Sequence, residues 1–269
     1  GGFMNTKDFN FKKKYGQNFL RDNSIPRKIV DVSKIPDNTL VIEIGPGAGA
    51  LTKELAKVAK QVLCYEIDES LEDILDQALL EYTNVSVIYD DFLKRNVLED
   101  LNNYDYEHLY VIANLPYYVT TPIITQLVTS NLEIEKIVVM VQKEVADRFC
   151  AKPASREYGS ITVFLNYYFD LKKEFLVSKN CFVPKPNIDS MIISLTRKKK
   201  LLPLKDSTLF FNLIRDSFRF KRKTLRNNLK GYDLKKIEQT LKNYHFDLSV
   251  RAEELPLEVF VDISNNLVK

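Results

Sequence analysis

Short apolar runs alternate with amphipathic stretches from residue 40 onward. Leu40–Ile44 reads as a buried strand, and Leu51, Leu55 and Val58 follow it at helical spacing. Val62–Ile67 predicts a second strand and residues 70–81 a second helix. Val85–Tyr89, Leu109–Ala113 and Ile137–Val141 predict three further strands. A helix is expected to begin near Thr121-Pro122, with the threonine as cap and the proline in the first turn. Residues 158–168 read as helical, and Phe175–Ser178 and Ser190–Thr196 as closing strands around a loop holding Pro184 and Pro186. This strand–helix alternation predicts an α/β domain whose mainly parallel sheet carries helices on both faces.

The pattern changes at Arg197–Pro203, which reads as a linker. Phe211, Ile214, Phe218, Leu225 and Leu229 then fall on one face of a single expected helix that Gly231 would end. Residues 234–243 and 256–267 predict two more helices. The expected organisation is a disordered tail at 1–11, an α/β domain at 12–197, a linker at 198–204 and a small all-α domain at 205–269.

Composition narrows the function classes. The chain has 45% hydrophobic and 28% charged residues, ordinary for a globular protein. No apolar run is long enough to span a membrane, and the polar, basic N-terminus has no signal-peptide core. Three dispersed cysteines and two histidines argue against a metal centre and a disulfide framework. A reducing cytoplasm and no metal are therefore expected. No heptad or apolar stripe suggests an obligate dimer, so a monomer is expected.

The net charge of +3 hides an uneven distribution. Residues 1–28 carry +5, residues 29–196 carry −10, residues 197–231 carry +10 and residues 232–269 carry −2. An acidic body with basic segments points to a polyanion gripped at particular places. On the expected helix, Arg215, Arg219, Arg222 or Lys223, and Arg226 recur at spacings of three and four and would form a phosphate-binding stripe.

The strongest local signal is Glu43-Ile44-Gly45-Pro46-Gly47-Ala48-Gly49, between the first strand and the first helix. Glycines there let the chain turn sharply and a ligand approach the backbone. Glu66, 21 positions after Gly45, ends the second strand, where a carboxylate can accept from ribose hydroxyls. Gly45, Gly47 and Glu66 fit a nucleoside cofactor, and the spacing alone also fits a dinucleotide. Asp91, after the third strand, could accept from an adenine amine. An acidic pocket suits the sulfonium of S-adenosylmethionine better than a pyrophosphate.

Asn114-Leu115-Pro116-Tyr117 follows the fourth strand. An adenine exocyclic amine is a weak nucleophile because its lone pair is delocalised into the ring. The Asn114 side-chain oxygen and the Leu115 carbonyl would accept its two N–H groups, and Pro116 would fix the turn that aims them. Tyr117 would stack on the base, and Phe182, in Cys181-Phe182-Val183-Pro184-Lys185-Pro186, would cover its other face or else anchor its own loop. A base paired in a duplex must be flipped out to enter such a site.

Together these residues resemble the ribosomal RNA adenine dimethyltransferases, over residues 12 to 265. Tyr15-Gly16-Gln17-Asn18-Phe19-Leu20 is similar to that family's N-terminal cofactor motif, and Asn114–Tyr117 to its catalytic motif. Gln142–Arg148, Tyr158-Gly159, Cys181–Pro186 through Asp189-Ser190, Arg222–Asn227 and Arg251–Leu255 match further signatures. The resemblance implies a Rossmann-like methyltransferase domain with a helical RNA-binding domain. It also implies dimethylation of two adjacent adenosines in a hairpin near the 3′ end of small-subunit ribosomal RNA. Asn18, Leu20, Gly45, Glu66, Asp91 and Asn114 would line the cofactor site. The antibiotic-resistance branch, which modifies large-subunit RNA, commonly has Ile where Leu115 stands. A non-catalytic assembly factor on the same scaffold is the alternative from another functional class.

Overall fold

The computed structural model describes residues 19–115 and 117–268, apart from the side chains of Phe19 and Tyr117. The described strands are β1 Phe19–Leu20, β2 Thr39–Ile44, β3 Gln61–Tyr65, β4 Val85–Ile88, β5 His108–Asn114, β6 Lys136–Gln142, β7 Phe169–Val177, β8 Phe182–Val183 and β9 Ser190–Arg197. Seven of them form one sheet in the order β4-β3-β2-β5-β6-β9-β7, while β1 and β8 pair separately. β4, β3, β2, β5 and β6 run parallel, and β9 pairs antiparallel with β6. All six residues of β2 are buried, as expected for a strand covered on both faces.

The chain moves outward from β2 through β3 to β4, then returns to the other side of β2 as β5. That reversal is the sheet's topological switch point. Open α/β sheets bind ligands outside the carboxyl ends of the strands at such a point. In this chain those ends are Ile44 and Asn114.

The chain divides into two compact units. One holds the residues through Ala146 together with Lys172–Arg197, and the other holds Asp147–Leu171 and Lys198–Lys269. Residues 147–171 thus group with the C-terminal helices, not with the α/β domain as the sequence pattern suggested. The reason is packing: the helix Ser160–Tyr168 buries Val163 and Tyr167 in the same apolar cluster as Phe210, Leu213 and Phe260. The expected linker is also tied down within this unit. Tyr167 Oη donates to the Leu202 carbonyl at 2.6 Å, and the Asn265 amide donates to the Pro203 carbonyl at 2.9 Å.

The single helix expected around 211–229 is two helices, Ser207–Ser217 and Leu225–Asn228. The apolar period continues across the break, but local hydrogen bonding overrides it. The Asn228 amide donates to the Ser217 carbonyl at 2.9 Å and so caps the first helix. Thr224 Oγ1 accepts from the Asn227 N–H at 3.4 Å and starts the second. Among the described residues, no helix is long and apolar enough to cross a membrane.

Candidate functional site

Four strand ends carry the residues singled out from the sequence. β2 leads into Gly45, β3 into Glu66, β4 toward Asp91, and β5 ends on Asn114. The loops leave the sheet in register with their neighbours: Gly45 N–H donates to the Tyr65 carbonyl and Glu66 N–H to the Ile88 carbonyl, both at 2.9 Å.

Gly45 has φ +76°, a left-handed conformation that side chains rarely adopt. A Cβ placed there would lie 3.0 Å from the Asn114 backbone oxygen. The glycine therefore lets the end of β5 sit directly against the turn after β2. This contact brings together two motifs nearly seventy positions apart in the chain (45 and 114).

Glu66 is completely buried. Its Oε1 accepts from the Gly47 N–H and its Oε2 from the Asp68 N–H, each at 3.0 Å. The carboxylate thus clasps the glycine loop from the end of the neighbouring strand. Asp91 is half-buried, and its Oδ1 accepts from the Leu93 N–H at 3.0 Å, capping the 3-10 turn Phe92–Lys94. Phe92 packs edge-on against Tyr65, with ring centroids 5.2 Å apart, and anchors that turn to β3.

Asn114 is half-buried and Leu115 buried. Asn18, Pro116 and the ring of Tyr117 lie outside the described residues. Leu20 is half-buried, packs against the apolar cluster that holds Val41 and Val62, and pairs with Phe182 across β1 and β8.

Phe182 requires a correction. It is only 2% exposed and belongs to the core cluster around Val41, Val62 and Ile192. Pairing of β8 with β1 turns the ring inward, so in this structure it offers no face to a base and acts as the anchor of its loop. Phe182→Ala should therefore lower stability by about 3–5 kcal/mol, the usual effect of emptying a buried phenylalanine site. Chemical denaturation checks this, and an unchanged unfolding midpoint would contradict the core assignment.

A buried polar cluster beneath the glycine loop was not singled out from the sequence. Glu43 on β2 is 1% exposed. Its Oε1 accepts from Thr52 Oγ1 at 2.5 Å and from Cys64 Sγ at 3.6 Å. Burial raises its pKa from the ordinary carboxylate range to about 7, and the charge of Glu66 adds to the rise, while the Thr52 and Cys64 hydrogen bonds oppose it. An acid inside an otherwise apolar strand was the available signal. Because the folded state holds this proton more tightly than the unfolded chain, its contribution to stability falls as pH rises from the ordinary carboxylate range to about 7. Glu43→Gln should flatten that segment of the stability–pH profile; an identical slope in both proteins would contradict the assignment.

The five basic residues predicted to bind RNA do not share one helix. Arg215 lies near the end of Ser207–Ser217, Arg219, Arg222 and Lys223 lie in the following turns, and Arg226 is on Leu225–Asn228. Their relation is through a folded-back turn, not a helical stripe. All five are solvent-exposed. Asp216 lies 3.4 Å from Arg215 and 4.0 Å from Arg219, and Glu238 lies 3.8 Å from Arg226. Such exposed pairs contribute little to stability and leave the cations available.

A mainly parallel sheet with a glycine turn and an asparagine strand end at its switch point, and with the antiparallel strand β9 beside β6, defines a Rossmann-like methyltransferase fold. The family described as ribosomal RNA adenine dimethylase matches residues 8–269, and the chain belongs to it. It is similar to ribosomal RNA small subunit methyltransferase A of Bacillus licheniformis, 47% identical over 273 residues that cover 98% of this chain and 94% of the relative. The protein of the same name from Streptococcus thermophilus is 44% identical over 268 residues, covering 96% of this chain and 92% of that one. Among solved structures, a dimethyladenosine transferase from Plasmodium falciparum superposes with a TM-score of 0.75 at 26% identity, covering 91% of this chain and 95% of that one. The 23S rRNA methyltransferase ErmE also gives 0.75, at 25% identity, covering 94% and 100%.

Proposed function

We propose that this protein transfers methyl groups from S-adenosylmethionine to the N6 amines of adenosines in small-subunit ribosomal RNA, dimethylating two adjacent adenosines in a hairpin near the 3′ end. The observation that carries the reading is the approach of Gly45 to the Asn114 backbone, which sets the glycine turn beside the asparagine that ends β5 at the switch point. The curated relatives at 44–47% identity are named as small-subunit enzymes, which supports the small subunit over the large.

The residues present fit the cofactor. Gly45 lets the backbone come close, Glu66 is held against the loop where a ribose would lie, and Asp91 stands at the next strand end for an adenine. Asn18 and Leu20 would complete this pocket, and Gly47 supplies the N–H that Glu66 holds. When bound, S-adenosylmethionine supplies an electrophilic methyl on a sulfonium.

The chain's own residues would prepare the acceptor. The Asn114 carboxamide oxygen and the Leu115 carbonyl accept the two amine hydrogens and pull the nitrogen lone pair out of conjugation. Pro116 would hold that turn and Tyr117 would stack on the base, a contact of about 1–3 kcal/mol. The amine proton released on transfer would pass by way of the Asn114 and Leu115 oxygens to water. No strong base is required, because an alkylated amine nitrogen bearing positive charge is acidic. Positioning and electrostatics then carry the rate. Arg215, Arg219, Arg222, Lys223 and Arg226 would neutralise RNA phosphates, so binding should weaken steeply with added salt.

Labelled methyl transfer from S-adenosylmethionine to unmethylated ribosomal subunits tests the reading. Label should enter small-subunit RNA and not large-subunit RNA. Label confined to the large subunit, or no transfer alongside active controls, would overturn it.

A further inference from the structure

We propose that Phe220 is a base-stacking residue: its ring receives an unpaired RNA nucleobase while the cations beside it hold the flanking phosphates. The proposal rests on the RNA reading above and adds to it a named aromatic contact remote in sequence from the transfer site.

A single exposed phenylalanine is ordinary by itself, since folded proteins leave many apolar groups at the surface. The setting of Phe220 is not ordinary. The residue is 52% exposed within Arg219–Lys223, where the other four residues are all cations. Among the described residues, Lys221 and Arg222 make no ion pair, and Arg219 has only Asp216 at 4.0 Å. The Lys223 ammonium lies over one face of the ring, 4.6 Å from its centroid, so that face already carries a cation and a base would stack on the opposite one.

The segment is also held in shape. Lys223 N–H donates to the Phe220 carbonyl at 2.9 Å, closing a turn. The Asn228 side chain then grips Phe220 from both sides: its amide donates to the Phe220 carbonyl at 3.1 Å, and its oxygen accepts from the Phe220 N–H at 3.3 Å. The same amide reaches the Ser217 carbonyl. An aromatic whose backbone is already fixed loses little freedom on binding. An exposed aromatic ring flanked by cations, of which Lys221 and Arg222 have no acidic partner among the described residues, matches a single-stranded polyanion carrying flat bases better than an apolar partner, whose approach would strand those charges. Stacking surfaces of this kind accept any base, because each has a π face.

The chain contains no tryptophan, so Phe220→Trp makes position 220 the sole indole. Titrating this variant with a single-stranded adenine-rich RNA oligonucleotide should quench its fluorescence, and the same oligonucleotide in a duplex should quench it far less. Phe220→Leu keeps an apolar side chain on the turn but removes the ring. It should weaken binding to the single strand about 5- to 150-fold, the range expected for one lost base–aromatic stack, with Phe220→Tyr close to wild type. No quenching, equal quenching by duplex, or unchanged affinity in Phe220→Leu would overturn the stacking role. Methyl transfer by the wild-type protein separates the two readings: if transfer proceeds while those results are negative, only the stacking role fails. If the wild-type protein neither binds RNA nor transfers methyl, both fail together.

Discussion

Asn114→Ala should slow methyl transfer about 100- to 1000-fold while leaving S-adenosylmethionine affinity within a few fold of wild type. That magnitude is typical when one preorganised hydrogen-bond partner is removed from a reacting group. The reason for the split lies in what the residue touches. Its carboxamide would act on the acceptor amine, whereas Gly45, Gly47, Glu66 and Asp91 belong to the three preceding strand ends. Asn114 ends β5 and is only half-buried, so truncating its side chain leaves the strand's ladder to β2 and β6 intact. Single-turnover rates with excess enzyme, set beside calorimetric cofactor binding, read both quantities. A variant that transfers methyl at the wild-type rate would remove Asn114 from the mechanism.

Gly45→Ala should damage binding and turnover together. The left-handed φ of +76° carries a penalty of about 1–2 kcal/mol for a residue with a side chain. The added methyl would also meet the Asn114 oxygen at 3.0 Å, and that atom is backbone, which yields less readily than a side-chain tip. Relief requires the glycine loop and the end of β5 to separate. Cofactor affinity should drop about tenfold or more, equivalent to about 1.4 kcal/mol, and thermal stability should fall by a few degrees. Calorimetry and a melting curve test this; wild-type affinity in the variant would mean that the close approach has no part in the site. The contrast with Asn114→Ala is the informative part, because one change alters the pocket wall and the other only the group that faces the acceptor.

Much of the α/β unit was legible in the chain. Apolar runs marked β2, β5 and β6 because a parallel sheet covered on both faces buries all of β2 and all but the end residues of β5 and β6. The glycine turn and its partner acid were legible because their backbone demands leave few choices of residue. What escaped was decided by tertiary or local competition. Phe182 sits in a loop whose sequence is equally consistent with an exposed ring, and only its pairing across β1 and β8 turns it into the core. The break between Ser217 and Leu225 hides behind an uninterrupted apolar period, and Asn228, a side chain eleven positions on, is what terminates the helix. The helices Val97–Leu101 and Lys143–Phe149 are too short to carry a readable period, whereas Ser24–Ser33 buries Ile25, Ile29 and Ser33 at helical spacing, a legible pattern that was missed. The grouping of residues 147–171 with the C-terminal helices depends on packing partners far along the chain, which no local pattern reports.

The central claim is geometric, and a crystal structure with a non-reactive S-adenosylmethionine analogue and an adenine oligonucleotide tests it most directly. The adenine N6 should lie about 2.7–3.2 Å from the Asn114 side-chain oxygen, on the far side of the analogue's methyl-equivalent group from sulfur. An Asn114 carboxamide turned out of the cleft, or a purine excluded from the space beside Gly45, would contradict it.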